Sequence, residues 1–146
     1  MWGDNVATVD ITDNSAEVLA ALEQAKARAL EIIGGKIERY AKALCPTGTE
    51  ESTGIKGYRG GTLKNSITHR VDGDTVMAGS NIKYAPYVEL GTGPHYTPPP
   101  EWMENTAERG HGIGHGFVHP RPYLRPAVID HVDEYKNVIN RELTNA

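Results

Sequence analysis

The 146-residue chain contains one cysteine, one phenylalanine and no long apolar run. A single cysteine excludes an intrachain disulfide, and the position of Cys45 between Leu44 and Pro46 favours a small apolar residue at a helix end over a nucleophile. No run of about 18 apolar residues provides a membrane span, and no basic start with an apolar middle indicates a signal peptide. We therefore expect no membrane association and synthesis in a reducing, cytoplasmic setting.

Basic charge is also scarce, because 15 Lys and Arg stand against 19 Asp and Glu, a net charge of −4. Binding to nucleic acid through phosphates requires a clustered surplus of Lys and Arg, so a nucleic-acid-binding module is disfavoured. Every ionised side chain before Lys26 is acidic. These carboxylates are Asp4, Asp10, Asp13, Glu17 and Glu23. The run is interpreted first as a solvated face.

Apolar residues make up 38% of the chain, which also holds 16 Gly and 9 Pro. That balance predicts a small core with long loops. The length is that of one ordinary domain, so residues 1–146 are interpreted as a single domain.

A long N-terminal helix is the strongest periodic signal. Asn14 and Glu17 have the form of a capping box, and beyond them apolar side chains recur every three or four residues. Gly34 and Gly35 lie inside this pattern and predict a bend or close packing. Pro46 is predicted to end the helix, because the residue before a proline is displaced from helical geometry.

Short runs with alternating apolar residues predict strands. Val9 and Ile11 indicate a first strand, and SITHRV and TVMAGS, separated by Asp-Gly-Asp at 72–74, indicate a hairpin. Residues 81–90 are a further strand candidate. Pro86 interrupts it and favours a sheet edge or a start after the proline.

Long loops are predicted near residues 47–61 and 97–116, with a short helix over 101–108. A last helix is predicted over 124–143. Its expected apolar face consists of Val128, Val132, Tyr135, Ile139 and Leu143. The order predicts an α+β fold, in which a small antiparallel sheet of three to four strands packs with a long N-terminal helix and a C-terminal helix.

Two sequence patterns raise the possibility of a ligand site. His111, His115 and His119 are four apart, as in helical zinc motifs, but glycines alternate among them and disfavour a helix. Gly91 and Gly93 follow a strand-like run, yet no Lys-Ser or Lys-Thr completes a phosphate-binding loop. We expect no cofactor, no metal and no catalytic residue, and a small His-dependent metal-binding enzyme remains the alternative from another class.

Three segments, GTLKNSI (61–67), YAPYVELGTG (84–93) and RPYLRPAV (121–128), follow a helix that ends in AKALCP. Together and in this order they resemble the head-tail joining family, the neck or tail-completion proteins of long-tailed bacteriophages. The resemblance covers residues from about position 35 to the end. The longer loop before residue 61 and the insertion at 97–116 depart from the family pattern.

This resemblance implies a non-enzymatic virion protein of the neck, made in the host cytoplasm. It implies a homo-oligomeric ring, commonly of six subunits, that contacts head-closure or connector proteins on one side and tail terminator or tail tube proteins on the other. DNA passes through the lumen, and the acidic N-terminal segment or the glutamates of the long helix are expected to face it. A tail terminator ring is the alternative within the same class.

Residues of the three segments are assigned interface or architectural roles, with local core support as the alternative for each. They are Leu63, Ser66, Tyr84, Tyr87, Glu89, Gly91, Gly93, Arg121, Tyr123 and Arg125. Of these, Arg121, Tyr123 and Arg125 are expected at a partner-facing corner.

Overall fold

The computed structural model describes residues 9–57, 59–91 and 119–146. Their elements in chain order are α1 (Ser15–Leu44), α2 (Glu50–Thr53), α3 (Thr62–Ser66), β1 (Thr68–Asp72), β2 (Thr75–Gly79), α4 (Ala85–Leu90), α5 (Leu124–Ile129) and α6 (Val132–Thr144). The prediction of mixed helix and sheet with a long N-terminal helix is confirmed. The sheet of the described residues has two antiparallel strands, not three to four. The predicted helix at 101–108 lies outside the described residues.

Helix α1 has 30 residues and is therefore about 45 Å long. The predicted capping box is wrong: the side chain of Asn14 makes no capping hydrogen bond, because its backbone is not in the extended region that N-cap residues adopt. The N–H of Ser15 instead donates to Asp13 Oδ1 at 2.9 Å. The predicted end is confirmed, since Leu44 is the last helical residue and Cys45 is extended before Pro46.

Strands β1 and β2 form the predicted hairpin, in register from Thr68 opposite Gly79 to Asp72 opposite Thr75. The alternation turns His69 and Val71 to the same side as the fully buried Ile67, towards α1. At Gly34, in the middle of α1, an added methyl group would overlap the imidazole of His69. Glycine therefore permits the close packing of helix and hairpin that its position predicted.

The C-terminal helix is divided in two and packs antiparallel to α1. Helix α5 ends at Ile129 and α6 begins at Val132, so the single helix predicted over 124–143 is wrong in the region of Asp130 and His131. The antiparallel arrangement is evident from two ion pairs, Lys36 with Glu134 and Arg28 with Glu142.

Only part of the predicted apolar face of the C-terminal helix is buried. Tyr135 is buried as expected, together with Val138, and the Tyr135 hydroxyl donates to the carbonyl of Ala127 at 2.5 Å. The remaining predicted members are exposed: Val128, Val132, Ile139 and Leu143. Helix α6 is oriented with Val138 against α1, so its residues Val132, Ile139 and Leu143 are left exposed.

Two other predicted strands are corrected. Residues 85–90 form α4 rather than a strand, and Pro86 lies in its first turn, where a missing N–H costs no helical hydrogen bond. Residues 9–12 form no strand, and Val9 and Ile11 are both exposed, so no sheet edge covers them within the described part of the chain.

The core lies between α1, the hairpin and α5–α6. Its buried members are Ala29, Ile33, Ile37, Ala41, Cys45, Leu63, Ile67, Ala85, Tyr123, Ala127, Tyr135 and Val138. The burial of Cys45 confirms the prediction of an apolar residue at the helix end, and desolvation raises the pKa of its thiol. None of the described helices has the length and apolarity that crossing a membrane requires.

Candidate functional site

The site is a joint between α4 and α5, centred on Glu89. The Glu89 carboxylate accepts backbone hydrogen bonds from Tyr123 at 2.7 Å, Leu124 at 3.0 Å and Arg125 at 2.9 Å. These N–H groups belong to the N-cap and the first two residues of α5, where no carbonyl of the same helix is placed to accept their hydrogen bonds. A negative charge at a helix N-terminus is also favoured by the helix dipole. Glu89 therefore joins the YAPYVELGTG segment to RPYLRPAV through bonds between residues 34 to 36 positions apart.

Backbone contacts complete this joint. The N–H of Arg121 donates to the carbonyl of Val88 at 2.7 Å, so the chain entering α5 is also held against α4. Gly91 ends α4 with a φ of 75°, a conformation that favours glycine, and its N–H donates to the carbonyl of Tyr87. Gly93 lies outside the described residues.

The GTLKNSI segment connects to the same region through two serines. Leu63 is buried in the core, and the Ser66 hydroxyl donates to its carbonyl at 2.7 Å. The hydroxyls of Ser66 and Ser80 are 2.6 Å apart, and Ser80 in turn accepts from the N–H of Ile82. Leu63, Ala85 and Tyr123, one from each of the three segments that carry the family resemblance, lie in the same buried cluster, so the three segments come together in space.

Tyr123 does not lie at a partner-facing corner, because its side chain is fully buried, at 0% exposure. Its desolvation raises the pKa of the hydroxyl to about 12. The hydroxyl has no hydrogen-bond partner among the described residues. Arg121 and Arg125 are exposed, and both contribute only backbone N–H groups to the joint.

Tyr84 and Tyr87 lie on the outer side of α4, with exposed fractions of 46% and 48%. Tyr84 also borders a cavity of about 430 Å³ between the end of α1 and the joint. The lining residues of this socket are Pro46, Thr47, Gly48, Ser52, Gly60, Gly61, Thr62, Leu63, Tyr84, Val88, His119 and Arg121. The loop predicted near 47–61 therefore forms one wall, and it carries the one-turn helix α2.

A second cluster, which the sequence did not predict, connects the hairpin to α1 through hydrogen bonds. His69 Nδ1 lies 2.6 Å from Glu38 Oε2, and Nε2 lies 3.1 Å from Glu31 Oε1. The hydrogen bond to Glu38 is the main cause that raises the pKa of His69, while the bonds from Lys42 and then His69 lower the pKa of Glu38. Glu31 and Glu38 lie seven residues apart on the same helix face as Gly34. This spacing is the sequence signal from which the cluster could have been predicted.

A third cluster, of hydrogen bonds and one ion pair, connects α6 to α1. Glu134 accepts from Lys36 Nζ at 2.5 Å and from the Tyr40 hydroxyl at 2.6 Å. The bond from Lys36, followed by that from Tyr40, lowers the pKa of Glu134. His131 stacks on Tyr40 with ring centroids 3.6 Å apart. Nothing in the local sequence predicts this cluster, because its members are about 100 residues apart.

The metal hypothesis falls mainly on residues that are not described. His111 and His115 lie outside the described ranges, and His119 borders the socket. Within residues 9–57, 59–91 and 119–146, no group of three or more His, Cys, Asp or Glu side chains is placed to bind a metal.

Comparisons of the chain with family models, with curated proteins and with solved structures found no match. The resemblance to head-tail joining proteins therefore depends on the three quoted segments alone.

Proposed function

We propose that the chain is a structural protein of the neck of a long-tailed bacteriophage, where it forms a ring that joins the DNA-filled head to the tail. The observation that carries the proposal is the joint at Glu89. A single carboxylate with three backbone donors holds together two of the three segments that resemble the family. Such a joint fixes the relative orientation of α4 and α5, which suits a protein that acts by shape.

The exposed side chains around this joint are the proposed contact surface, shared between neighbouring copies of the chain and the adjoining components of head and tail. Tyr84 and Tyr87 present aromatic rings, and Arg121 and Arg125 present guanidinium groups. Tyrosine and arginine are enriched at protein interfaces and among the residues that dominate binding energy. Head-closure or connector proteins on one side and tail terminator or tail tube proteins on the other are the proposed partners.

The acidic balance of the chain supports a ring through which DNA passes. A net charge of −4 does not attract phosphates, so DNA would not adhere to the wall of such a ring. The ring is proposed to be a homo-oligomer of six copies, assembled in the host cytoplasm and retained in the virion.

Removal of the protein from an assembling phage tests this function. We expect full heads and complete tails of normal length that fail to join, and rescue by the wild-type chain supplied from a plasmid. Tyr84→Ala combined with Tyr87→Ala is expected to rescue poorly, whereas the control Lys136→Ala, an exposed change on α6, is expected to rescue fully. Tails of abnormal length would instead favour a tail terminator, and normal joining would contradict both assignments.

A further inference from the structure

The N-terminal turns of α1 extend beyond the other elements of the described part of the chain. Residues 15–20 are all exposed, and burial on this helix begins with Ala25, at 0% exposure. Lys26 Nζ lies 2.8 Å from Asp74 Oδ1 in the hairpin turn. The hairpin therefore extends along α1 only as far as about Lys26. About ten residues, or roughly 15 Å of helix, therefore project from the fold.

This projection carries the apolar stripe that forms the core further along the helix. Val18 and Leu22 precede Ala25 and Ala29 at helical spacing, and Val18 and Leu19 are 55% and 63% exposed. Helix α6 does not reach them, because its last turn pairs with Arg28 through Glu142. Most helical stability in proteins comes from tertiary packing of the apolar face, so a cover for the exposed apolar side of these turns would stabilise them.

The socket described above lies at the other end of the same helix. Pro46, just after the end of α1, is part of its wall, and apolar surface comes from Leu63, Tyr84 and Val88. The basic side chains that line it are His119 and Arg121, and no carboxylate is among the lining residues. By contrast, Asp13 lies just before the projecting helix and Glu17 lies in its first turn.

We propose that the projecting turns of α1 in one copy of the chain dock in the socket of the next copy, head to tail. Val18, Leu19 and Leu22 would then contact the apolar wall around Tyr84 and Val88. The acidic start of α1 would face Arg121. This inference rests on the proposed ring and names its subunit contact.

The occupant is a second copy because the two complementary features are held at opposite ends of one rigid helix about 45 Å long. They cannot meet within one chain. A contact between two different surfaces of identical subunits closes into a ring when its rotation permits, which is the symmetry that a neck component needs. The volume of about 430 Å³ accommodates a few side chains rather than a whole domain.

Cysteine cross-linking between copies tests the contact. Leu19→Cys and Thr47→Cys are made as separate variants, with the buried Cys45 retained in both, and wild type is the control. Under mild oxidation we expect a disulfide-linked dimer when the two variants are mixed and none from either variant alone. A linked dimer from Leu19→Cys alone would show pairing of α1 with α1, and no link in the mixture would exclude the proposed contact; either result overturns it.

Charge-reversal variants test the same contact independently. Glu17→Arg and Arg121→Glu are each expected to weaken self-association by on the order of tenfold or more, because like charges then face each other across the interface. Combining the two variants in one mixture, or in one chain, is expected to restore association. Circular dichroism establishes that each variant is folded, and unchanged association in both single variants would contradict the contact.

The mass of the wild-type assembly separates this inference from the function on which it rests. Light scattering over a concentration series is expected to show an oligomer larger than a dimer. An oligomer that is insensitive to all of these variants overturns the α1 contact and leaves the ring in place. A wild-type chain that stays monomeric up to millimolar concentration contradicts the ring itself.

Discussion

Glu89 is the residue on which the joint between α4 and α5 depends. Glu89→Ala removes the acceptor of three backbone N–H groups, and we expect it to lower the free energy of unfolding by about 2 kcal/mol, as for the loss of a strong helix cap. Urea denaturation measures the change. Glu89→Gln retains the size of the side chain and separates the loss of charge from the loss of packing.

The matched control for Glu89 is Glu51→Ala, on the exposed surface of α2. A surface carboxylate without a structural partner contributes little to stability, so we expect a change within about 0.5 kcal/mol. Equal effects of the two substitutions would show that the joint does not stabilise the fold.

His69 should make the attachment of the hairpin dependent on pH. Its pKa is raised above 6.5, chiefly by Glu38 and also by Glu31, while Lys42 shares Glu38 on the same helix. A raised pKa in the folded state means that the stabilisation is fully present below about pH 6.5 and is lost as the pH rises through the folded-state value. The stability difference between wild type and His69→Gln should therefore shrink as the pH increases.

Urea unfolding of both proteins from about pH 5.5 to about pH 8.5 spans the ordinary range of histidine titration and measures this difference. A difference that stays constant across the series would show that His69 contributes through packing against Gly34 rather than through its charge.

At the residue scale, the importance of particular side chains could be predicted from the sequence more readily than their structural roles. Glu89 was singled out as part of a motif, but its three donors come from a segment 34 to 36 residues away, which no local pattern reveals. The family resemblance implies a partner-facing corner for Tyr123. The structure buries it because the turn before α5 directs this one side chain into the core.

At the scale of elements, Gly34 and Gly35 form a natural comparison. Alanine at Gly34 would overlap the His69 ring, so we expect Gly34→Ala to destabilise the protein by about 1–3 kcal/mol through overpacking. Nothing lies within 4 Å of a Cβ at Gly35, so Gly35→Ala should stabilise the helix by about 0.5–1 kcal/mol. Thermal unfolding measures both, and changes of the same sign would contradict the close approach of the hairpin to α1.

Elements with strong local signals were predictable. The long helix shows through its apolar spacing, and the hairpin through alternation around an Asp-Gly turn. Residues 85–90 are too short for periodicity to distinguish helix from strand, and Pro86 suits a first helical turn as well as a sheet edge. The apolar spacing continues through Asp130 and His131, so it does not reveal the division between α5 and α6.

At the scale of the whole molecule, the subunit should gain stability from its neighbours. Binding that occurs only between folded chains raises apparent stability with concentration. We therefore expect the unfolding temperature of the wild-type protein to rise with protein concentration, and that of Leu22→Asp, which places a charge on the projecting stripe of α1, to change much less. Equal concentration dependence in the two proteins would show that assembly does not use this stripe.

The proposed ring at the junction of head and tail can be located in intact particles by electron microscopy, with the chain marked by a bound antibody fragment. We expect density for the protein as a ring around the DNA channel between the head and the tail. Particles that lack the protein at this junction, or that carry it elsewhere, would contradict the proposed function.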